Sequence, residues 1–527
     1  MYWNTYKKGI IRNKLESAIR EKSRGLYTIK YDKLDMNEIA GSLSVFNMNL
    51  SYDSIRYTDL EQMGKAPSIL VSIYIPEINV SGVMTPRALI DNEIVGRKLE
   101  IKNPVISIIY TNAGKDSSRA APSKEVYEQI LGNLDLIQAD TVLISGAQIT
   151  TSSRKTKKTS IRIQDVSIAL VDVKVDSSSS ADTTRMLFAK EISITCGKLN
   201  WSSANKLYNY NADSISVSSV SRHLHIKSFR LAPTLDEEAF VKALPTQDDR
   251  FDFSVSNIQM KNINLPQLFD ENFVADSMLI GAATFKIYRD LAITRDKTNR
   301  VGTYPHQALA KVPVPVNIGN IILSNGFLEY KERSHITRQS GKVQFYNIYA
   351  SIVNFTNDKD IIAVNNTMTV DVSSRFLDLT PLKVTWLFYL AHPKGRFDLK
   401  GSLGAINAVL LNKLTEPMGA ASIKKGKING VEFNLQGHDY GMDGTVKMLY
   451  EDLKVILLEK NKESKEMDKK VMTSFLANIL IKNSNPKKND EARVAQVHFD
   501  RNTNRSIFHL SWKTLFKGIK ETVGIKK

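Results

Sequence analysis

Hydrophobic and polar residues alternate with a period of two along most of the chain. Alternation of this kind predicts β-strands that have one apolar face and one polar face. Sheets built from such strands are typically antiparallel with one side in water, whereas parallel sheets are usually buried on both faces. The clearest runs lie at 69–75, 161–175, 192–196, 251–255, 368–372 and 446–457.

Short polar pairs interrupt these runs and predict tight turns or bulges. They are Asn103-Pro104, Gln164-Asp165, Gly197-Lys198, Ser256-Asn257, Ser324-Asn325-Gly326 and Asp443-Gly444. Strand follows strand at short spacing, and open twisted sheets rarely exceed about 10 strands without curling, splitting or closing. We therefore predict a mainly β fold, in which a long antiparallel sheet is curled into an elongated open groove.

Helical patterns are confined to a few segments, at 3–23, 124–134, 235–244, 468–481 and 511–525. None of the polar stretches between strands is long enough, or rich enough in Pro and Gly, to mark a clear domain linker. We predict three regions, which are an N-terminal amphipathic helix at 1–25, a β-groove at 26–458 and a basic C-terminal helical region at 459–527.

Positive charge is concentrated at the two ends of this 527-residue chain, whose net charge is +17. Residues 1–25 contain seven Lys and Arg against two Asp and Glu, and residues 459–527 contain sixteen against eight. The long middle, with 49 against 45, is almost neutral. A nucleic-acid groove needs basic side chains along its length, so we expect no nucleic-acid partner. Basic ends suit an anionic membrane surface better.

Motifs for catalysis or for cofactor binding are not found in the sequence. The single cysteine, Cys196, excludes a disulfide framework and a cysteine-based metal site. His223 and His225 share a strand face, but a metal site needs further ligands. No phosphate loop, nucleophile elbow or dinucleotide fingerprint occurs. We expect neither enzymatic activity nor a cofactor, and we find no secretory signal and no apolar stretch of about 20 residues.

The two terminal helices carry apolar stripes beside lysines, a composition typical of interfacial membrane helices. The C-terminal stripe contains Phe508, Trp512, Leu515, Phe516, Ile519 and Val523. Such a stripe also fits packing on the protein's own β-sheet, which would leave the lysines free, and both alternatives stay open here. The candidate membrane-contact residues are Trp3, Lys7, Lys8, Phe508, Trp512, Lys513, Phe516 and Lys517.

Several segments of the sequence resemble the C-terminal signature of the AsmA-like envelope proteins. They are Gly-Arg-Phe-Asp-Leu-Lys-Gly-Ser-Leu-Gly at 395–404, Leu-Asn-Lys-Leu-Thr-Glu-Pro at 411–417 and Lys-Lys-Gly-Lys-Ile at 424–428. The pattern is continued at 433–435, 439–440, 444–446 and 450–455, and the N-terminal part is similar at 27–29, 41–43 and 103–104. The resemblance is distributed over most of the chain and contains no catalytic residues.

This resemblance implies an open, apolar-lined β-trough that takes part in phospholipid movement or homeostasis in the bacterial envelope, on the periplasmic side of the inner membrane. The family's anchoring helix is not found before Trp3. The expected partners are phospholipid, a membrane surface and other envelope proteins. The candidate groove residues are Ile192, Ile194, Val370, Val372, Phe251 and Phe253. An alternative remains open, namely a structural or assembly factor for outer-membrane biogenesis that has a filled interior and no lipid conduit.

Overall fold

The structure of the protein is a computed structural model. It describes residues 16–17, 19–21, 23–37, 39–83, 93–111, 136–155, 159–176, 178, 182, 184–269, 272–295, 297–335, 338–419, 421–457, 481–487 and 490–525.

The chain is mainly β, as the sequence predicts, and its strands form a mixed sheet. The first eleven strands are β1 Tyr27–Lys30, β2 Lys33–Asn37, β3 Ser42–Tyr52, β4 Ile69–Ser81, β5 Glu93–Lys102, β6 Val105–Tyr110, β7 Leu136–Ser153, β8 Thr159–Asp176, β9 Glu191–Ser202, β10 Tyr208–Ser218 and β11 His223–Pro233. The others are β12 Arg250–Lys261, β13 Phe273–Asp290, β14 Val316–Arg333, β15 Ser340–Thr356, β16 Thr367–Phe376, β17 Thr380–Tyr389, β18 Phe397–Leu403, β19 Ile406–Asn407, β20 Ala421–His438, β21 Gly441–Leu457 and β22 Ala495–Asp500.

Chain contacts define two compact units, Met1–Phe229 and Arg230–Lys527. In the first unit β1 and β2 both pair with β3, β3 pairs with β4, and β7, β8, β9 and β10 follow one another. In the second unit the pairing runs from β12 to β18, then to β20, β21 and β22. Strand β22 lies in the region predicted as helical, so this region also contributes to the sheet.

Most neighbouring strands are antiparallel, as expected, but the described pairs include three parallel ones. These are β5 with β7, β6 with β7, and β13 with β14. Parallel neighbours need a crossover connection rather than a tight hairpin. The chain between β13 and β14, at 291–315, provides such a connection and contains a short helix. Alternation alone did not reveal it, since each of these strands still has one apolar face.

The described helices are short except at the C-terminus. They are α1 Ser54–Gln62, α2 Glu237–Ala243, α3 Leu265–Phe269, α4 Pro305–Ala310, α5 Lys359–Val364, a 3-10 helix Ala408–Leu411, α6 Asn412–Gly419 and α7 Ile507–Thr522. Helices α2 and α7 confirm two predicted segments, and α7 begins earlier than expected because Ser506 is its N-cap. Residues 16–17 and 19–21 are helical. The rest of the predicted N-terminal helix, the segment 124–134 and most of 468–481 lie outside the described residues.

Most of the polar pairs predicted as turns or bulges lie inside long strands. Asp165 in β8 and Asn257 in β12 adopt left-handed backbone conformations, with φ of 55° and 53°. Each faces a glycine of the next strand: a Cβ at Gly197 would lie 2.9 Å from the Cβ of Asp165, and a Cβ at Gly281 would lie 2.9 Å from the Cβ of Asn257. A left-handed residue interrupts the two-residue period, and such irregularities bend a strand.

These kinks explain why the alternation changes phase along single strands. In β8 the apolar positions shift from odd numbers at Ile161 and Ile163 to even numbers at Val166 and Ile168, with Asp165 between them. Without the left-handed residue, the second half of the strand would turn its apolar side to the opposite face. The kink therefore keeps the apolar positions before and after Asp165 on one face of the strand.

Candidate functional site

One face of the second unit is apolar across ten strands. Residues that lie opposite one another in the strand pairings form continuous rows, and most of them are large aliphatic or aromatic residues. Because directly paired residues point to the same face, each row is a strip of apolar surface running across the strands. The first row is Met260, Met278, Ile321, Ile352, Val370, Trp386, Leu399, Leu435, Gly444 and Val497.

A second row lies beside the first, and on each strand its residue is two positions away from that of the first row. It contains Ile258, Ile280, Leu323, Ala350, Val372, Val384, Gly401, Phe433, Val446 and Ala495. The opposite face of the same strands is polar: Asp371, for example, pairs with Thr385, which pairs with Lys400. The predicted candidates Val370 and Val372 therefore belong to the two apolar rows, and both side chains are partly exposed.

The apolar face is open at β11–β15, where it forms a groove of about 580 Å³. We call this the apolar groove, because every residue that lines it is apolar or glycine. Phe251 and Phe285 stack with centroids 5.8 Å apart, and Phe253 meets Phe285 edge-on at 5.6 Å. The lining residues are Leu231, Phe251, Phe253, Ala283, Phe285, Leu323, Gly326, Phe327, Leu328 and Ile348.

Two of the predicted groove residues, Phe251 and Phe253, line this groove. The other lining residues were not predicted from the sequence, although Ala283, Phe285 and Ile287 of β13 are each followed by a more polar residue and so show the alternation of a strand with one apolar face. In β14, the next strand, the register shifts between Leu323 and Gly326. This kink interrupts the alternation that would otherwise have indicated the apolar face of β14.

The first unit also has an apolar face, which contains the remaining two candidates. One row crosses eight strands and consists of Leu34, Val45, Ile78, Ile101, Ile144, Ile168, Ile194 and Val217. Ile194 is partly exposed in this row. Ile192 is only 2% exposed, because it packs with Val173 and Ala189 in a small cluster that Phe188 and Met186 complete. Ile192 is therefore a core residue of this unit rather than part of an open surface.

Helix α7 covers the apolar face of the second unit over β21 and β22. Ile507 and Leu510 are buried against the sheet, and a Cβ at Gly518 would lie 2.5 Å from the side chain of Val446. The small residue lets the helix approach the strand closely. The Arg493 side chain donates from Nε to the carbonyl of Thr522 at 3.1 Å and thereby secures the C-terminal end of the helix.

The sequence predicts one apolar stripe on α7, but in the structure its residues fall into a buried set and an exposed set. Leu515, Ile519 and Val523 pack against the core of the second unit. Phe508, Trp512 and Phe516 instead remain 68%, 54% and 38% exposed, and we call these three the aromatic stripe. Lys513 is exposed, whereas Lys517 donates to the carbonyl of His498 at 2.7 Å. Trp3, Lys7 and Lys8 lie outside the described residues.

A buried polar cluster stands near the same core. The Arg501 side chain donates from Nη1 to Asp439 Oδ1 at 2.9 Å and lies over the ring of Tyr304 at 4.2 Å. Gln307 Nε2 donates to the second Asp439 oxygen at 2.8 Å. Both partners of the ion pair are almost fully buried and make several further hydrogen bonds, so the cluster fixes the connection 291–315 to the chain at the ends of β20 and β22.

Among the described residues, no helix combines the length and apolar content needed to span a bilayer. These residues also contain no group of three or more His, Cys, Asp or Glu side chains placed to bind a metal ion. No protein-family model matches the chain, and no curated protein matches it. The segments that resemble the AsmA-like signature form β18, α6 and parts of β20 and β21.

Proposed function

We propose that the protein is a non-enzymatic lipid-transfer protein that holds phospholipid acyl chains in the apolar groove. The observation that carries this proposal is a groove of about 580 Å³ with an all-apolar lining. Each methylene group buried there contributes about 0.8 kcal/mol, so ten methylenes would contribute about 8 kcal/mol.

The apolar rows support movement of the chains as well as binding. The hydrophobic effect is non-directional and needs no specific side chain. Successive positions along the second row, such as Leu323, Ala350 and Val372, are partly exposed and offer similar apolar contacts, so an acyl chain gains and loses little free energy as it slides. The resemblance to AsmA-like proteins motivates bacterial phospholipid as the cargo and the periplasmic side of the envelope as the location.

The first test asks whether the purified chain binds phospholipid. We expect phospholipid to co-purify, which mass spectrometry of an organic extract would detect, and we expect lipid-depleted protein to take up a fluorescent phospholipid. A chain that carries no lipid and takes up none would overturn the proposal and would favour the alternative of a scaffold or assembly factor.

Two adjacent alanines provide a matched pair of variants for the groove itself. Ala283 lines the groove, whereas Ala282 pairs with Ser256 on the opposite face of β13. Ala283→Asp should reduce lipid uptake by at least about tenfold, because a carboxylate in an apolar site is strongly unfavourable. Ala282→Asp should take up lipid as the parent protein does. Equal uptake by both variants, with circular dichroism showing intact β-structure, would exclude this groove as the binding site.

A further inference from the structure

The second conspicuous surface of the second unit is the exposed side of α7, which lies apart from the apolar groove. The aromatic stripe follows a spacing of four residues, so its three rings stand on one side of the helix. Trp512 and Phe516 stack with centroids 5.9 Å apart. Phe508 meets Trp386 edge-on at 6.2 Å. Because Trp386 belongs to the first apolar row, the stripe extends the apolar face of the sheet to the protein surface.

Basic side chains border the aromatic stripe. Lys520 lies over the ring of Phe516 at 5.3 Å, and Lys513 is exposed one residue after Trp512. Arg505, just before the helix, and Arg295 lie close enough to His509 that their positive charges lower its pKa, as the charge of Lys513 also does. Arg295, Arg505 and Lys513, which we call the basic cluster, form no salt bridge within the described residues.

The pKa values in this region reflect an excess of positive charge. The pKa of His509 is lowered to about 4, first by burial and then by Arg505 and Lys513. The pKa of Arg505 is lowered by burial and by the like charges of Arg295 and Arg289. Arg289 itself is neutralised by Asp249, with contacts of 2.6 and 2.5 Å. Glu332, an acid near Arg505, accepts a hydrogen bond from Tyr330 at 2.6 Å.

We propose that this side of α7 docks on the surface of an anionic phospholipid bilayer, with the aromatic stripe in the interface and the basic cluster on the lipid headgroups. Exposed aromatic rings beside cations are the arrangement that interfacial helices use. The charge complements an acidic surface, and the contact of Phe508 with Trp386 joins the docked side to the apolar face. Docking does not depend on lipid being carried in the groove.

The test measures co-sedimentation of the full chain with two kinds of vesicle, phosphatidylcholine alone and phosphatidylcholine mixed with phosphatidylglycerol. We expect binding to the mixed vesicles only, and we expect it to weaken with salt, since exposed charges are screened beyond about 8 Å at physiological ionic strength. Excess inorganic phosphate should not displace the protein. Displacement by phosphate at constant ionic strength would identify a free-anion site and overturn the proposal.

Two variants separate the aromatic and basic contributions. Trp512→Ala should weaken vesicle binding about tenfold at every salt concentration, because the indole contributes apolar burial. Lys513→Glu should weaken it about fivefold at low salt and less at high salt. The matched controls are Tyr349→Ala, which removes a ring that is 47% exposed on β15, and Lys261→Glu, at the exposed end of β12. Both controls should bind vesicles normally.

The outcome is distinguishable from that of the groove experiment. Ala283→Asp should bind mixed vesicles as the parent chain does, even though it takes up less lipid. Parental vesicle binding by both Trp512→Ala and Lys513→Glu would overturn the proposal. A lowered melting temperature of Trp512→Ala together with parental vesicle binding would show that the indole only stabilises the fold.

Discussion

His306, in helix α4, is a buried histidine for which neither ring nitrogen has a hydrogen-bond partner within the described part of the chain. Its ring lies 5.0 Å from that of Phe388 and 6.3 Å from that of Tyr304. Burial lowers the pKa of His306 to about 4, although the charge of Asp439 opposes the change. The imidazole is therefore neutral at neutral pH, and a proton on it would create an unpaired charge in the core.

We expect His306 to make the protein less stable in acid. The unfolded chain binds this proton near pH 6.5 and the folded chain only near pH 4, so stability is lost as the pH falls from the first value towards the second. At about 1.4 kcal/mol per pH unit, the loss approaches ~3 kcal/mol. His306→Leu should remove most of it, as measured by urea unfolding near neutral pH and at about pH 4.5.

His498 serves as the contrast, because hydrogen bonds to Asp443 and Asp500 raise its pKa. Its stabilising effect is present at low pH and is lost as the pH rises through its folded pKa. His498→Gln should therefore not reduce the loss of stability in acid. If His306→Leu keeps the parental acid dependence, other groups cause it, such as His509, whose pKa is also lowered to about 4.

At the scale of the strands, the left-handed residues are the features that bend the sheet and keep its apolar side continuous. Two of them lie next to a glycine of the neighbouring strand: Asn257 of β12 is opposite Gly281 of β13, and Asn347 of β15 is beside the kink at Gly326 of β14. Asparagine tolerates this conformation better than other side chains. The facing glycine provides the space that the kinked strand occupies.

Gly281→Ala should destabilise the protein by about 1–3 kcal/mol, because the new Cβ would lie too close to Asn257. Asn257→Gly removes the Cβ with which it clashes. In the double variant the cost of Gly281→Ala should therefore fall below its cost in the parent chain. Urea unfolding of the four proteins measures this coupling. Costs that simply add would show that the close approach of these two residues is not what requires glycine.

At the scale of the whole molecule, the described parts of the two units differ in how much buried core they contain. The second unit contains one large buried cluster, which extends from Tyr304 and Leu309 to Leu510 and Val523. The described part of the first unit contains small clusters, one around Tyr57 and another around Ile192. Buried apolar area is the main favourable contribution to folding, so the second unit should be the more stable one.

We expect the first unit to unfold at a lower urea concentration than the second. Trp201 reports on the first unit, where it stacks on Tyr210 with centroids 4.9 Å apart, and Trp386 reports on the second. Two variants are compared, one with Trp201 and the other with Trp386 as its single tryptophan. Their fluorescence transitions should occur at different urea concentrations, that of Trp201 at the lower one. Coincident transitions would show instead that the two units unfold as one cooperative structure.

The sequence by itself determined the class of the fold and the apolar side of those strands whose alternation is regular. Alternation in runs such as 251–255 and 368–372 is a local property, since successive side chains of a strand point to opposite faces whatever its partners are. For the same reason Phe251, Phe253, Val370 and Val372 could be assigned to an apolar face before their neighbours were known. Helix α7 was also predictable, from its helical spacing.

Only the tertiary structure decided which strands are parallel, where the apolar face is open and which part of α7 is buried. These depend on contacts between residues far apart in the chain, such as Gly518 on Val446 and Phe508 on Trp386. The polar pairs mark irregular backbone in the sequence. Whether such a pair reverses the chain or bends a strand depends on the neighbouring strand, because a kink needs a partner such as Gly281 that leaves room for it.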